Sequence, residues 1–313
     1  MTGANTGVGL ELAAILYSRN ARVFIAARNE KKALTAISSI RSRTPKSTGT
    51  LDFLSLDLAD LSTIKTSANE FLSKSDRLDV LFNNAGVMLP DSKATTAQGY
   101  DLQLGVNNIG TFMFTKLLTP MLRRTAAEST TDQGSVRVVW VGSSAAEGMS
   151  PQNGIPLAAL ADQKSYIKQG NMKRYAISKA GNYLHSGEFA RRYADTGIVS
   201  VALNPGNLDS ELWRTQGSFA SWFLRKFVLH APVNGAYTEL FAGLSPEVKG
   251  RNGDWVVPFG RFMPVTRGMF GSIGMGTSLF CVLTDTCRSG LGEGDEDERR
   301  WRKWSRSRVL GVD

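Results

Sequence analysis

Short apolar runs alternate with longer amphipathic stretches over the first 260 residues of the chain. The runs are rich in Val, Ile, Leu and Phe, as in Arg22–Arg28 (RVFIAAR). Nearly continuous apolar runs are typical of strands that are buried on both faces, and therefore of a parallel sheet. The predicted strands are Arg22–Arg28, Leu51–Leu56, Leu78–Asn83, Val136–Ser143, Ile198–Leu203 and Asp254–Pro258.

The stretches between these runs have apolar residues at helical spacing. The predicted helices are Gly7–Arg19, Glu30–Arg43, Leu61–Ser75, Gly99–Arg124, Lys173–Ala194 and Val233–Leu244. Regular alternation of strands and helices predicts an α/β protein with a doubly wound parallel sheet in a single domain. In such a fold the ligand crevice lies at the carboxyl ends of the strands.

The pattern departs from this fold at both ends of the chain. A doubly wound sheet that binds a dinucleotide begins with a strand leading into a glycine-rich turn, but only Met1 precedes the turn at Thr2. We therefore expect the first, central strand to be missing and its neighbours to expose unpaired backbone groups. After about Phe262 the alternation stops. We expect residues 1–260 to form the domain and residues 261–313 an irregular, poorly ordered tail.

Composition and charge narrow the class of protein. Apolar residues make up 42% of the chain and charged residues 21%, which is typical of a folded globular protein. The net charge of +9 is spread along the sequence, which favours phosphorylated small molecules over nucleic acid as partners. Two cysteines and two histidines argue against a disulfide scaffold and against a metal site.

The sequence also bears on location and assembly. No signal peptide pattern is visible, and the longest uncharged stretch of the tail, Gly268–Leu283, has 16 residues, whereas about 20 are needed to span a bilayer. These features predict a cytoplasmic protein without membrane contact. They leave the formation of a homo-oligomer open.

The glycine-rich turn Thr2–Gly9 (TGANTGVG) is the first candidate binding element. Gly3, Gly7 and Gly9 permit a tight backbone turn and let main-chain N–H groups approach a pyrophosphate. Thr6 and Val8 complete the turn, and the helix that follows directs the positive end of its dipole toward the same place. Spaced glycines alone are a weak signal, but the adjoining helix and strand strengthen it.

The end of the strand Arg22–Arg28 distinguishes between the two nicotinamide cofactors. An acid at this place would bind the free hydroxyl groups of the adenosine ribose, but the sequence is Ala26-Ala27-Arg28. Arg28 can instead pair with a 2′-phosphate, which favours NADP. The alternative is an arginine that is simply solvated at the end of a strand.

Two further strand ends carry polar or small residues. Asp57 and Leu58 follow the strand Leu51–Leu56, and the Asp57 carboxylate can accept a hydrogen bond from an adenine amino group. Asn84, Ala85 and Gly86 follow the strand Leu78–Asn83 and leave space for a ribose. Either motif alone could be an ordinary turn.

The sequence Tyr175-Ala-Ile-Ser-Lys179 lies in a predicted helix. Spacing of four residues places the phenol and the ammonium on one helix face, and a nearby cation is expected to lower the pKa of a tyrosine. Tyr175 would then serve as an acid or base near neutral pH. Upstream, Ser143 ends a strand and can donate a hydrogen bond to a substrate oxygen. Asn107 can hold a water molecule near Lys179 that relays protons.

Together these motifs resemble the short-chain dehydrogenase/reductase superfamily over roughly residues 2–260, and within it the retinol-dehydrogenase-like branch of fungi. TGANTGVG, NNAG, VNNIGTF, YAISKAGN, NPGNLDSEL and WVVPFGR carry the resemblance. The resemblance implies an NADP-binding Rossmann catalytic domain. It also implies a catalytic tetrad of Asn107, Ser143, Tyr175 and Lys179, with Ser144 as the alternative to Ser143.

The same resemblance implies that Pro205, Gly206 and Leu208 close over the nicotinamide. Ser210 stands where the family usually has a threonine near the cofactor amide and phosphates. A substrate lid would cover about residues 208–230, whose aromatic residues fit either a lid over an apolar substrate or core packing. The implied activity interconverts a ketone or aldehyde and an alcohol on an apolar small molecule, in fungal secondary metabolism. The alternative is a truncated, catalytically impaired relative that only binds a nucleotide or another protein.

Overall fold

A sheet of parallel strands with helices on both faces forms the centre of the protein. The computed structural model describes residues 1–128, 130–156, 163–209 and 229–264. The strands are β1 (Arg22–Ala27), β2 (Thr50–Ser55), β3 (Val80–Asn83), β4 (Arg137–Val141), β5 (Val199–Leu203), β6 (Trp255–Val257) and β7 (Arg261–Phe262). The helices are α1 (Gly7–Ser18), α2 (Glu30–Arg43), α3 (Leu61–Lys74), α4 (Leu102–Leu104), α5 (Thr111–Ala127), α6 (Ser144–Met149), α7 (Gln163–Ile167), α8 (Asn171–Arg192) and α9 (Pro232–Leu244). This architecture confirms the predicted α/β fold.

The strand order divides the sheet into two parts. β1 and β2 pair in parallel, and β3, β4, β5 and β6 form a second parallel group that β7 closes in the antiparallel direction. Between the two parts lie Met1, Thr2 and Gly3. The amide of Ala26 donates to the Met1 carbonyl (2.9 Å), that of Gly3 donates to the Ala26 carbonyl (2.8 Å), and that of Thr2 donates to the Phe82 carbonyl (3.0 Å).

These three residues therefore pair the carboxyl ends of β1 and β3, where the first strand of a doubly wound sheet would lie. Thr2 forms one isolated parallel bridge with Ala26 rather than a ladder. Met1–Gly3 thus supply the carboxyl end of the strand that we expected to be missing. That the rest of this strand is missing stays a prediction.

Helices cover both faces of the sheet, and alternate residues of a strand pack against the helices on opposite faces. In β4, Val138 and Trp140 join a core that includes Leu118 of α5, whereas Val139 and Val141 join a core on the other face. That second core includes residues of α1 and α9. Burial on both faces explains why the strands have near-continuous apolar sequences.

Several element boundaries differ from the predicted ones. The predicted helix Gly99–Arg124 begins at Leu102, where the Asp101 carboxylate accepts the amide of Leu104, and it contains a π-helical turn at Gly105–Gly110. The sheet continues two residues past the predicted boundary at 260, because β7 pairs with β6. Residues 210–228 of the predicted lid and residues 265–313 of the predicted tail lie outside the described residues.

None of the helices in the described ranges has the length and apolar character that crossing a membrane requires.

Candidate active site

A cleft of about 540 Å³ opens at the carboxyl ends of the parallel strands. The predicted site residues come together there with two exceptions: Asn107 lies behind the cleft wall, and Ser210 is outside the described residues. The predicted residues that line the cleft are Gly3, Thr6, Gly7, Val8, Gly9, Arg28, Asp57, Leu58, Asn84, Ala85, Gly86, Ser143, Tyr175, Lys179, Pro205, Gly206 and Leu208.

The glycine turn forms one end of this cleft. Gly3 has φ +66°, and a Cβ there would lie 2.9 Å from the Cα of Ala85, so that only glycine fits. A Cβ on Gly9 would lie 2.7 Å from the carbonyl oxygen of Gly3. At the start of α1, Thr6 is extended and its side chain makes no capping hydrogen bond. The backbone N–H groups of the first helical turn are therefore left for an anionic ligand.

The end of β3 is fastened to the turn by hydrogen bonds. The Asn84 side-chain amide donates to the carbonyls of Thr2 (2.9 Å) and Gly3 (3.2 Å). The backbone amide of Ala85 donates to the Thr2 hydroxyl at 2.9 Å. The predicted ribose-binding segment Asn84–Gly86 thus also holds the predicted pyrophosphate-binding turn in place.

Arg28 and Asp57 lie at neighbouring strand ends on the side of the predicted adenosine. Arg28 is exposed at the cleft, and within the described parts of the chain no hydrogen bond or ion pair engages its guanidinium. One Asp57 carboxylate oxygen accepts the amide of Ala59 at 2.9 Å. A cation without a protein partner fits a ligand phosphate.

In the same described residues, no group of three or more His, Cys, Asp or Glu is placed to hold a metal ion.

Tyr175 and Lys179 lie on one face of α8, as their spacing predicts, and both are buried. The Lys179 ammonium donates to the Val141 carbonyl at 2.9 Å. Burial lowers the pKa of Lys179 to about 8, while a contribution from Glu239 raises it.

The predicted lowering of the Tyr175 pKa is wrong for this structure. Burial raises that pKa because the phenolate would lose its solvation, and a hydrogen bond with Ser143 counteracts the rise only in part. The Ser143 side chain is the one that interacts with the phenol. This contact favours Ser143 over Ser144, which is exposed.

Asn107 lies in the π-helical turn and is fully buried. Its side-chain oxygen accepts the amide of Val87 (2.8 Å), and its amide donates to the Val87 carbonyl and to the Ser178 hydroxyl, both at 2.9 Å. A Cβ on Gly86 would lie 3.1 Å from the Lys179 ammonium and 3.3 Å from the Asn107 side-chain oxygen. Asn107 therefore lies close to Lys179, and its role in proton relay stays a prediction.

The sequence pattern did not predict what anchors the start of α8. Arg174, next to Tyr175, forms an almost fully buried ion pair with Asp101 and donates to the Ser92 carbonyl at 3.0 Å. Nothing in the sequence relates residues so far apart, so no local signal could have revealed the pair. Among the residues that line the cleft, those that the sequence analysis did not predict include Met88, Met149, Met172 and Glu239. One feature of the sequence could have indicated Glu239: it is the single acid in the otherwise uncharged helix sequence PVNGAYTELFAGL.

Comparison with known proteins identifies the class. Residues 1–157 match the family model for short chain dehydrogenases. A short-chain dehydrogenase/reductase of Phomopsis amygdali is 53% identical over 267 residues, which is 84% of this chain and 78% of the relative. The short-chain dehydrogenase/reductase pkfC of Emericella nidulans is 43% identical over 313 residues, 99% of this chain and 91% of the relative.

A solved structure supports the fold independently. The Pseudomonas aeruginosa RhlG/NADP active-site complex matches with a TM-score of 0.64 at 21% identity, covering 83% of this chain and 93% of that one. The chain belongs to the short-chain dehydrogenase/reductase family. It is thus an oxidoreductase of a class that uses a nicotinamide cofactor and a small-molecule substrate.

Proposed function

We propose that the protein is an NADP-dependent reductase or alcohol dehydrogenase that interconverts a ketone or aldehyde and an alcohol on an apolar small molecule. The observation that carries the proposal is the convergence of Ser143, Tyr175 and Lys179 in the same cleft as the glycine turn and Arg28. Tyr175 can carry the proton, with Ser143 and Lys179 beside it, and the glycine turn and Arg28 can bind phosphates. A hydride transfer between a nicotinamide and a carbonyl carbon requires both functions in one cleft.

The cleft fits NADP through the chain's own groups. The turn Gly3–Gly9 would hold the pyrophosphate, Arg28 the 2′-phosphate and Asp57 the adenine. Lys179 would bind the nicotinamide ribose, and Pro205–Leu208, together with Ser210, would hold the nicotinamide. When bound, the nicotinamide supplies or accepts the hydride.

The catalytic side chains act on the substrate oxygen. Ser143 donates a hydrogen bond that polarises the carbonyl, and Tyr175 donates its phenolic proton to the oxygen during reduction or takes it back during oxidation. Because burial raises the pKa of Tyr175, the resting protein holds the protonated form, which is the form that reduction requires. Lys179 and Asn107 support Tyr175 from the inner side of the cleft.

Methionines indicate the character of the substrate. Met88 of the loop after β3, Met149 of α6 and Met172 of α8 line the cleft together with Leu208. Flexible thioether side chains adapt to apolar ligands of irregular shape. Together with the fungal relatives and the sequence motifs, this lining supports a place in the retinol-dehydrogenase-like branch and an apolar carbonyl or alcohol of secondary metabolism as substrate.

The test is NADPH consumption with a panel of apolar ketones and aldehydes. Tyr175→Phe keeps the ring and removes the proton carrier, so turnover should fall at least ~100-fold while NADPH affinity changes little. Tyr237→Phe, at an exposed position of α9, is the matched control and should retain turnover. Wild-type turnover in Tyr175→Phe would contradict the proposed mechanism.

A second candidate is a family member that binds the nucleotide without turnover. It is favoured by the junction between β1 and β3, where Met1–Gly3 supply only three residues of pairing. Wild-type protein that binds NADPH but reduces no member of the panel would support this candidate.

A further inference from the structure

Glu239 is a buried acid that the proposed mechanism does not use. It is 0% exposed and lines the cleft, and neither of its carboxyl oxygens has a hydrogen-bond partner in the described part of the chain. One helical turn earlier, the backbone of α9 at Gly235 packs against the side chains of Val8 and Leu208. Residues four apart share a helix face, so Glu239 faces the same region beside the glycine turn.

Two positive groups interact electrostatically with the Glu239 carboxyl. The electrostatic partners of Glu239 are the Lys179 ammonium and the Met1 amino group, although neither lies within ion-pair distance of it in the described residues. The Met1 amino group donates to the Phe24 carbonyl at 2.9 Å, while the Lys179 ammonium is directed at Val141. Both groups line the same cleft and both are buried, so they interact more strongly than they would in solvent.

The other charged residues of the elements packed on α9 are directed elsewhere. Arg137 of β4 donates to the carbonyls of Ala242 (3.1 Å) and Ser245 (2.7 Å), at the far end of the helix. Glu11 of α1 forms a surface ion pair with Arg43. Lys179 is therefore the cation of the catalytic set that Glu239 affects.

Both groups titrate in the same pH range. Burial raises the pKa of Glu239 to about 8, and burial lowers the pKa of Lys179 to about 8. At pH 6 both groups are protonated. As the pH rises toward 8, the carboxyl releases its proton to solvent through the cleft, and the resulting carboxylate favours the charged form of the lysine.

We propose that Glu239, a buried carboxyl without a hydrogen-bond partner among the described residues and on the cleft that Lys179 also lines, is a positioning residue that supports the charge of the Lys179 ammonium. The proposal rests on the proposed function, in which that ammonium binds the nicotinamide ribose. Glu239 then sets the upper pH limit of cofactor binding.

The first test is NADPH affinity at pH 6 and pH 8 in the wild type and in Glu239→Gln. Losing the carboxylate should lower the Lys179 pKa by about half a unit to one unit, which makes NADPH binding about 2- to 5-fold weaker at pH 8 and leaves it unchanged at pH 6. Glu247→Gln, an exposed acid just after α9, is the matched control and should behave as the wild type. If the ratio of the wild-type affinity to the Glu239→Gln affinity were the same at pH 6 and pH 8, the proposal would be overturned. A purely structural role of Glu239 predicts no such pH dependence.

A second measurement needs no cofactor. Thermal melting of Glu239→Gln, Lys179→Met and the double variant should show effects that add at pH 6 and that depart from additivity by about 1–3 °C at pH 8. Additive effects at both pH values would contradict the coupling even if NADPH binds normally. Conversely, NADPH affinity that is unaffected by Lys179→Met would refute the assigned role of Lys179 in the proposed function, while the melting cycle would still decide whether Glu239 and Lys179 interact.

Discussion

At the scale of single residues, the choice of cofactor proposed above depends on the residue that follows β1. Arg28 follows β1 directly, has no partner in the described residues and lies on the same cleft as the glycine turn. The sequence predicted this residue because, in a dinucleotide-binding doubly wound sheet, an acid or an arginine at the end of this strand faces the adenosine ribose. Glu239 was not predicted as a site residue, because its burial depends on how α9 packs against α1 and the sheet.

Replacing Arg28 tests the choice of cofactor. Arg28→Ala should weaken NADPH binding about 10- to 100-fold, since a hydrogen-bonded charge pair contributes about 1.5–3 kcal/mol, and should leave NADH affinity unchanged. Fluorescence titration of both cofactors measures this. Arg22→Ala, at the opposite end of β1, is the control that should alter neither affinity. Equal NADPH affinity in Arg28→Ala and the wild type would remove Arg28 from the site.

At the scale of elements, the π-helical turn and α8 are joined by side-chain amides. Asn108 donates to the Ser178 carbonyl at 2.8 Å and contacts the His185 ring at 2.9 Å. This contact requires Gly181 of α8, where a Cβ would overlap the Asn108 amide. The sequence predicted α8 from its apolar spacing, but it could not predict the π-helical turn, whose stability comes from these long-range contacts.

The sequence predicts the centres of the strands better than their ends. The six predicted strands all form, because buried apolar runs identify their centres. The predicted strand Val136–Ser143 ends at Val141, since Ser143 accepts the amide of Ala145 and begins α6. β7 was missed because two residues carry no periodicity.

Two glycines of α8 provide a matched test of this packing. Gly181→Ala should lower the free energy of unfolding by about 1–3 kcal/mol, because the added methyl group overpacks a buried contact. Gly187→Ala meets no atom within 4 Å and should raise it by about 0.5–1 kcal/mol through its helix propensity. Urea unfolding measures both. A Gly181→Ala protein as stable as Gly187→Ala would show that the Asn108 contact is not tight.

At the scale of the whole molecule, a seam between β1 and β3 divides the described strands into two parts. Among the described residues, only the segment Met1–Gly3 connects the two parts by backbone hydrogen bonds. Burial lowers the pKa of the Met1 amino group to about 5, because a charged amine loses its solvation there. The alternation of strands and helices predicted a parallel sheet with helices on both faces, whereas the backbone pairing of Met1–Gly3 at the seam is a tertiary feature that it did not predict.

Adding strand residues at the seam should stabilise the protein. We expect five or six apolar β-branched residues placed before Met1 to raise the melting temperature by roughly 5–10 °C, because they would pair several buried backbone groups and replace the buried amine by an amide. An extension of equal length made of glycine and serine is the control. Equal melting temperatures for the two extended proteins would show that a longer strand at this position is dispensable.

The most direct test of the central claim is the transfer of deuterium from NADPH deuterated at C4 of the nicotinamide to an apolar ketone. Mass spectrometry of the product should find one deuterium on the carbinol carbon when the cofactor carries the label on the transferred face. The yield should fall at least ~100-fold in Tyr175→Phe and remain unchanged in Tyr237→Phe. A labelled alcohol formed equally well by Tyr175→Phe, or no labelled alcohol from the wild type with any ketone of the panel, would contradict the account.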